Sequence, residues 1–318
     1  MGENVKKTVL YLLFVLFPTL SIAQEKPGWA FPRSAADEMA EFPEADPATV
    51  YTAPGSKLAV TRKQINDRYN VPNWFPEMYP AMPKTVQYGN SDTEVRACGL
   101  CHLPTGTGHD ESAYVAGLPV NYFLAQMEDY KNGNRGGSGT MVNIAKNISE
   151  EELIEAAEYY AAVKPRPWVR VVETDTVPRT YIRGGNKRLL HPEGGTEPIG
   201  NRIISVPEDE EIALNRDPRL GFVAMVPTGS IARGKELATT GGGGKTIACT
   251  ACHGETLQGM GDVPPIAGRH PTYIVRQLWA IKHGDRKGPS NAIMMPAVQN
   301  LTEDDMLAIA AYAASLEP

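Results

Sequence analysis

Cysteine is scarce here, with four in 318 residues, too few for a disulfide framework. Positive charge is in deficit, 31 basic against 37 acidic side chains for a net charge of −6. That balance argues against a general nucleic-acid binder, which would gain its affinity by neutralising phosphates with Lys and Arg. Long apolar runs are missing too. The longest, Val9 to Phe17, ends at Pro18 and falls far short of the roughly 20 residues of a spanning helix. Glycine and proline, by contrast, are abundant at 30 and 26 residues, high for a helical bundle and a sign of long, ordered loops. Length alone suggests about two domains.

The apolar run stands after Lys6 and Lys7 and leads into Ser21-Ile22-Ala23, the pattern of a cleavable export signal. Cleavage after Ala23 leaves a mature chain of net charge −7 that works outside the cytoplasm, in the periplasm, with no membrane span and no lipidatable cysteine at its start.

All four cysteines fall in two copies of one pattern, Cys98-Gly99-Leu100-Cys101-His102 and Cys249-Thr250-Ala251-Cys252-His253. On a helical turn, residues three apart share a face, so both thiols of a copy can bond the vinyl groups at one edge of a porphyrin. The histidine then points at the iron, which imidazole suits. Zinc sites, dithiol redox motifs and disulfides account for Cys-x-x-Cys pairs but not for the histidine trailing both. The motifs predict two covalently bound haem c groups, attached through Cys98, Cys101, Cys249 and Cys252, with His102 and His253 as axial ligands.

The copies are 151 positions apart, and the same offset aligns the residues C-terminal to each motif. Ala116-Gly117 matches Ala267-Gly268, and Tyr122, Gln126, Lys131, Gly133 and Arg135 match Tyr273, Gln277, Lys282, Gly284 and Arg286, as an internal duplication would. Apolar residues recurring at helical spacing predict a helix in each copy, ending at Gly133 and Gly284. A second helix comes at an offset of 153, opening on Ser149-Glu150-Glu151-Glu152 and Thr302-Glu303-Asp304-Asp305, sequences that cap a helix start and place acids in its first turn. The sixth iron ligand is expected between these helices, on a loop able to fold over the distal face. Met141 and Met294 stand seven residues before Ile148 and Leu301, in matching register, with Met295 the alternative to Met294.

These motifs resemble tandem two-haem cytochromes c of class I, similar to cytochrome c4. The resemblance covers both haem units and implies a mainly α fold, His/Met-ligated haems, and electron transfer between periplasmic or membrane redox partners such as a dehydrogenase, a terminal oxidase or a reductase. Relatives carry Pro-x-Leu-x-Gly after the haem motif, its proline carbonyl orienting the axial histidine. Pro264 to Gly268 fits this pattern, whereas the first copy has Ala113 in place of the proline; another backbone carbonyl can serve.

The organisation read from the chain is a signal at 1–23, a Pro- and aromatic-rich extension at 24–80, a first cytochrome domain at 81–163, a long Pro-rich joining segment at 164–226 with a strand-like run from Trp168 to Glu173, and a second cytochrome domain at 227–318. The joining segment is too long for a simple linker and is expected to pack between the domains. Gly241 to Gly244 before Lys245-Thr246 is similar to a phosphate-binding loop, but the glycine needed six residues before the lysine is Thr239. His109, His191, His270 and His283 have no counterparts in the other copy and are expected to be surface or structural.

Residues 24–163 hold 11 basic and 19 acidic side chains, residues 164–318 hold 18 and 17, so the first half carries the negative charge and is suited to steering a basic partner. Function is expected to be electron transfer without substrate chemistry, the thioether ligand favouring the reduced iron. Two rivals are a cytochrome subunit of an exported dehydrogenase and a dihaem peroxidase; the second needs an open iron position that paired methionines would close.

Overall fold

A computed structural model describes residues 25–31, 46–110, 112–183 and 187–318; the signal expected at 1–23 lies outside them. The extension splits into two parts. Residues 25–31 lie against the C-terminal unit, with Ala30 fully buried in its core and the Trp29 indole donating to Glu303 at 2.9 Å. Residues 46–80 build a small unit of their own. There β1 (Val50–Thr52) runs antiparallel to β2 (Ala59–Thr61), and the one-turn α1 (Arg62–Ile65) starts at a capping box between Thr61 and Gln64. Ile65, Trp74 and Phe75 form its core.

The first cysteine pattern sits on the one-turn α3 (Gly99–His102), preceded by α2 (Lys84–Gln87) and followed by α4 (Val120–Lys131), α5 (Gly139–Asn147) and α6 (Glu150–Ala162). Helix α4 stops where Gly133 takes a left-handed backbone, φ 74°, a conformation that costs glycine nothing. A capping box between Ser149 and Glu152 starts α6, and the side chains of Tyr159 and Tyr160 reach back to the carbonyls of Pro104 and Leu103 in the loop after α3.

The Pro-rich joining segment carries more strand than the one run expected at Trp168 to Glu173: β3 (Val169–Glu173), β4 (Thr176–Pro178), β5 (Thr180–Arg183), β6 (Lys187–Leu190), β7 (Thr196–Pro198), β8 (Ile204–Pro207), α7 (Glu210–Leu214) and β9 (Phe222–Val226). Strand β3 pairs in parallel with β9, Val169 opposite Phe222, and β8 lies antiparallel on the other edge of β9. Valine is the commonest residue of β3 and β9, and four of the five residues of β9 are buried, as suits a central strand. The prolines punctuate rather than prevent the strands, since Pro178, Pro198 and Pro207 each close one, where the missing N–H is least needed. The segment wedges between the haem-motif units: the Trp168 indole donates to the Gly268 carbonyl at 3.2 Å and its ring meets Tyr114, Phe222 and His270.

The C-terminal unit contains α8 (Ser230–Thr240), the second cysteine pattern on α9 (Thr250–His253), α10 (Pro271–Lys282), α11 (Pro289–Ala292), α12 (Met295–Val298) and α13 (Glu303–Ala314). Its core gathers the inner faces of α8, α10 and α13 with Ala224 and Val226 of β9. Helices α8 and α13 cross closely at Gly234, where an added Cβ would lie 1.9 Å from the Ala308 carbonyl oxygen. Gly284 comes just after α10 at φ 77°, and Thr302 caps α13 through Asp305.

Candidate functional site

Around each Cys-x-x-Cys-His turn the chain repeats one geometry. The amide of Gly108 donates to the His102 carbonyl at 2.8 Å, and that of Gly259 to the His253 carbonyl at 2.8 Å. Left-handed residues recur at Leu103 and Gly106 in the first copy and at Gly254 and Leu257 in the second, φ 58° to 84°, so glycine and leucine exchange places without changing the loop. The loops bring a backbone carbonyl onto each imidazole: Ala113 O lies 2.9 Å from His102 Nδ1, and Pro264 O 2.8 Å from His253 Nδ1. The carbonyl position that the first copy fills with alanine therefore serves as the proline does. A carbonyl only accepts, so Nδ1 carries the proton and Nε2 keeps its lone pair free for a metal. Burial pushes both histidines below the usual imidazole range, countered in part by these carbonyls, and so holds the neutral form that ligates iron.

One continuous cavity of about 1700 Å³ runs past both histidines, larger than the roughly 300–1,000 Å³ of an ordinary small-molecule site. Cys101, His102 and Met141 of the first copy and Cys249, Cys252, His253 and Met294 of the second all line it. Cys98 is absent from the lining; it caps α3 and packs on the core of the first unit. Met141 lies not on a loop but in the first turn of α5, whose Ser138 cap accepts from the Met141 amide at 3.3 Å. Met294 sits between α11 and α12, the two short turns that replace α5 here, each with a proline, Pro289 or Pro296, in its first positions. Met294 packs on the core, whereas Met295 is 37% exposed and does not line the cavity.

The two units meet through the aligned repeat residues. Arg135 donates to its own Gln126 at 3.0 Å and across the interface to Tyr273 at 2.8 Å and Gln277 at 3.0 Å. Arg286 mirrors it, donating to Gln277 at 3.1 Å, to Tyr122 at 2.7 Å and to Gln126 at 2.7 Å. Both arginines are 6% exposed, and a backbone bridge joins them directly. Burial would raise the Tyr273 phenol, but Arg135 and Arg286 outweigh it and hold its pKa below the usual range.

This cluster tests the fit of a haem. Two buried guanidiniums share only neutral oxygens, and Gln126 Nε2 and Arg286 Nε have no hydrogen-bond partner among the described residues. Donors in excess, facing the same cavity as both histidines, match a group that brings its own carboxylates, as haem does with its propionates. The repeat register aligns these six residues in sequence but does not bring them together in space; the available signal is that each polar residue, on α4 and α10 or just after them, is identical in both copies. His109 instead bonds Ser112, His270 is buried on Ser205 at 2.7 Å, and His283 stacks on Trp279; these are structural contacts. His191 lies against Glu193 and the Tyr181 ring. Among the described residues no helix is long and apolar enough to cross a membrane.

The family described as Cytochrome c matches residues 231–317. The chain is similar to cytochrome c-552 of Acidithiobacillus ferridurans, 37% identical over 69% of this chain and 73% of that protein. It is similar also to the thiosulfate dehydrogenase electron acceptor of Thiomonas intermedia, 26% identical over 70% of this chain and 79% of the relative, and to cytochrome c4 of Azotobacter vinelandii, 24% over 68% and 82%. Among solved structures, thiosulfate dehydrogenase TsdBA of Marichromatium purpuratum superposes with a TM-score of 0.50 at 26% identity, covering 72% of this chain and 38% of that one. Fold and site together define a c-type cytochrome. The chain belongs to the tandem dihaem class I cytochromes c, the family that includes cytochrome c4, and its function is electron transfer with covalently bound haem c.

Proposed function

We propose that this chain is an exported, periplasmic carrier with two haems, each in its own helical unit (81–163 and 227–318), that accepts electrons from a dehydrogenase and passes them to a further redox protein. The observation that carries the reading is the repeated placement of an imidazole, oriented by a carbonyl, with a methionine lining the same cavity. Haem iron, when bound, supplies a one-electron couple between Fe(III) and Fe(II).

The protein does the rest. Cys98 with Cys101, and Cys249 with Cys252, would tether the two groups. His102 and His253 present Nε2 as a neutral ligand, and Met141 and Met294 would complete the coordination, which raises the potential and closes the iron to small molecules. The buried cores around the sites exclude water, so little has to rearrange when charge changes. Closed coordination is what separates a carrier from a dihaem peroxidase. The dehydrogenase partner is suggested by the relative named as a thiosulfate dehydrogenase electron acceptor. Absorption spectra of the purified protein test the reading: a haem-to-protein ratio of two and a methionine-to-iron charge-transfer band from both haems are expected. A high-spin haem, or a ratio of one, overturns it.

A further inference from the structure

Part of the cavity wall belongs to neither haem-motif unit. Arg62 comes from the N-terminal extension, and Arg183 at the end of β5, Lys187 at the start of β6 and Arg216 after α7 come from the joining segment; all four line the cavity with Cys101 and His102. Arg183 and Lys187 are paired across β5 and β6, and Lys187 and Arg216 also line one smaller cavity. Burial, then the charges of Arg216, Arg62 and Arg183, lower the Lys187 ammonium to about 7.

Two of the cations are held in place by neutral groups. Arg62 donates to the Leu214 carbonyl at 2.5 Å and to Asn215 at 2.8 Å, and its guanidinium lies over the Tyr51 ring. Arg216 donates to the carbonyls of Leu100 at 2.6 Å and Ile65 at 3.2 Å. Two carboxylates stand near, Glu211 on the cavity wall and Asp110 toward Lys187. Three arginines and a lysine stand against two carboxylates among the described residues, an excess that the fold has gathered at a cost, because like charges in a partly desolvated place repel and push the lysine toward its neutral form. It is also gathered beside the more acidic half of the molecule, against the local trend.

A haem's own acids do not answer this excess. Arg135 and Arg286, at the interface of the two units, are the groups that would meet haem propionates, whereas this wall comes from the extension and the joining segment. We propose that the Arg62, Arg183, Lys187 and Arg216 wall binds one small inorganic oxoanion of the size and charge of sulfate, beside the first haem motif. The consequence for redox rests on the dihaem reading. Negative charge beside an iron favours Fe(III), so by linkage the anion binds the oxidised protein more tightly than the reduced one.

The test uses the full holoprotein with sulfate as probe, ionic strength being held constant with chloride. Equilibrium dialysis of labelled sulfate is expected to show one saturable site per chain. Arg183→Ala and Lys187→Ala, which spare the backbone-tying Arg62 and Arg216, should each weaken it at least about tenfold, and Lys187→Arg should retain it. Redox titration should show sulfate lowering one of the two midpoints and leaving the other in place. No saturable binding, binding unchanged in both alanine variants, or chloride acting equally well overturns the proposal, as does a wall that takes up only an acidic protein partner. Dialysis does not depend on iron ligation. Failure of the dihaem reading would show instead in the haem-to-protein ratio and the absorption spectrum.

Discussion

Arg135 donates to the Tyr273 hydroxyl at 2.8 Å across the interface, and the repeat returns the bond from Arg286 to Tyr122 at 2.7 Å. Each tyrosine thus serves the other unit's arginine, and the interface is a hydrogen-bonded exchange rather than an apolar contact. Bonds to a charged donor contribute roughly 1.5–3 kcal/mol. Tyr273→Phe and Tyr122→Phe should therefore each destabilise the protein by about 2 kcal/mol in denaturant unfolding. Because both bonds belong to one network, the double variant should depart from additivity by at least about 0.5 kcal/mol. Strict additivity would mean that the two halves of the cluster do not sense one another.

The crossing of α8 over α13 makes a second prediction. Gly234 is helical, so alanine would ordinarily be the better residue there by about 1 kcal/mol. Its Cβ would lie 1.9 Å from the Ala308 carbonyl oxygen and 2.8 Å from the Tyr312 Cβ, which forces the helices apart, and overpacking costs roughly 1–3 kcal/mol. Gly234→Ala should lower the melting temperature, and an unchanged or raised value would show that the helices can separate freely.

Local features are legible in the sequence because local chemistry decides them. Ser149 with Glu152 and Thr302 with Asp305 form capping boxes where the spacing predicts them, and Gly133 and Gly284 turn left-handed just past their helices. The strand-like run at Trp168 to Glu173 matches β3, but its parallel partner Phe222–Val226 lies some fifty residues on, and no local pattern names such a partner. Met141 sits on a helix rather than the expected loop because Ser138 caps α5, and the signal for that helix is the shared face of Met141, Ile144 and Ala145. The cationic wall is out of reach altogether. Arg62, Arg183, Lys187 and Arg216 come from two segments that the repeat does not contain, and only the tertiary fold brings them to the cavity that Cys101 lines.

The methionine assignment stands or falls on spectra of single variants. Met141→Ala and Met294→Ala should each remove the charge-transfer signal of one haem and lower one midpoint potential, because the thioether favours Fe(II). Met295→Ala should leave both signals intact, since its side chain is 37% exposed and does not line the cavity. Loss of a signal in the Met295 variant, with none in the Met294 variant, would reverse the choice.

Asp305 makes stability depend on acid. Its side chain is 1% exposed and lies 2.5 Å from both Arg233 and Lys245. Burial on its own would raise the carboxyl, but the bonds from Lys245, Thr302 and Arg233 together outweigh it and hold the pKa at about 2. A folded pKa below the unfolded value of about 4 means that the ionised form stabilises the fold. That stability is fully present above about pH 4 and is lost as pH falls through the folded value near 2. The shift corresponds to about 2 kcal/mol at neutral pH. Asp305→Asn should lower the unfolding free energy at pH 7 and flatten its fall between pH 4 and pH 2. If the variant and the parent protein lost stability in parallel over that range, the acid sensitivity would belong to other carboxylates and the cap would owe nothing to its two cations.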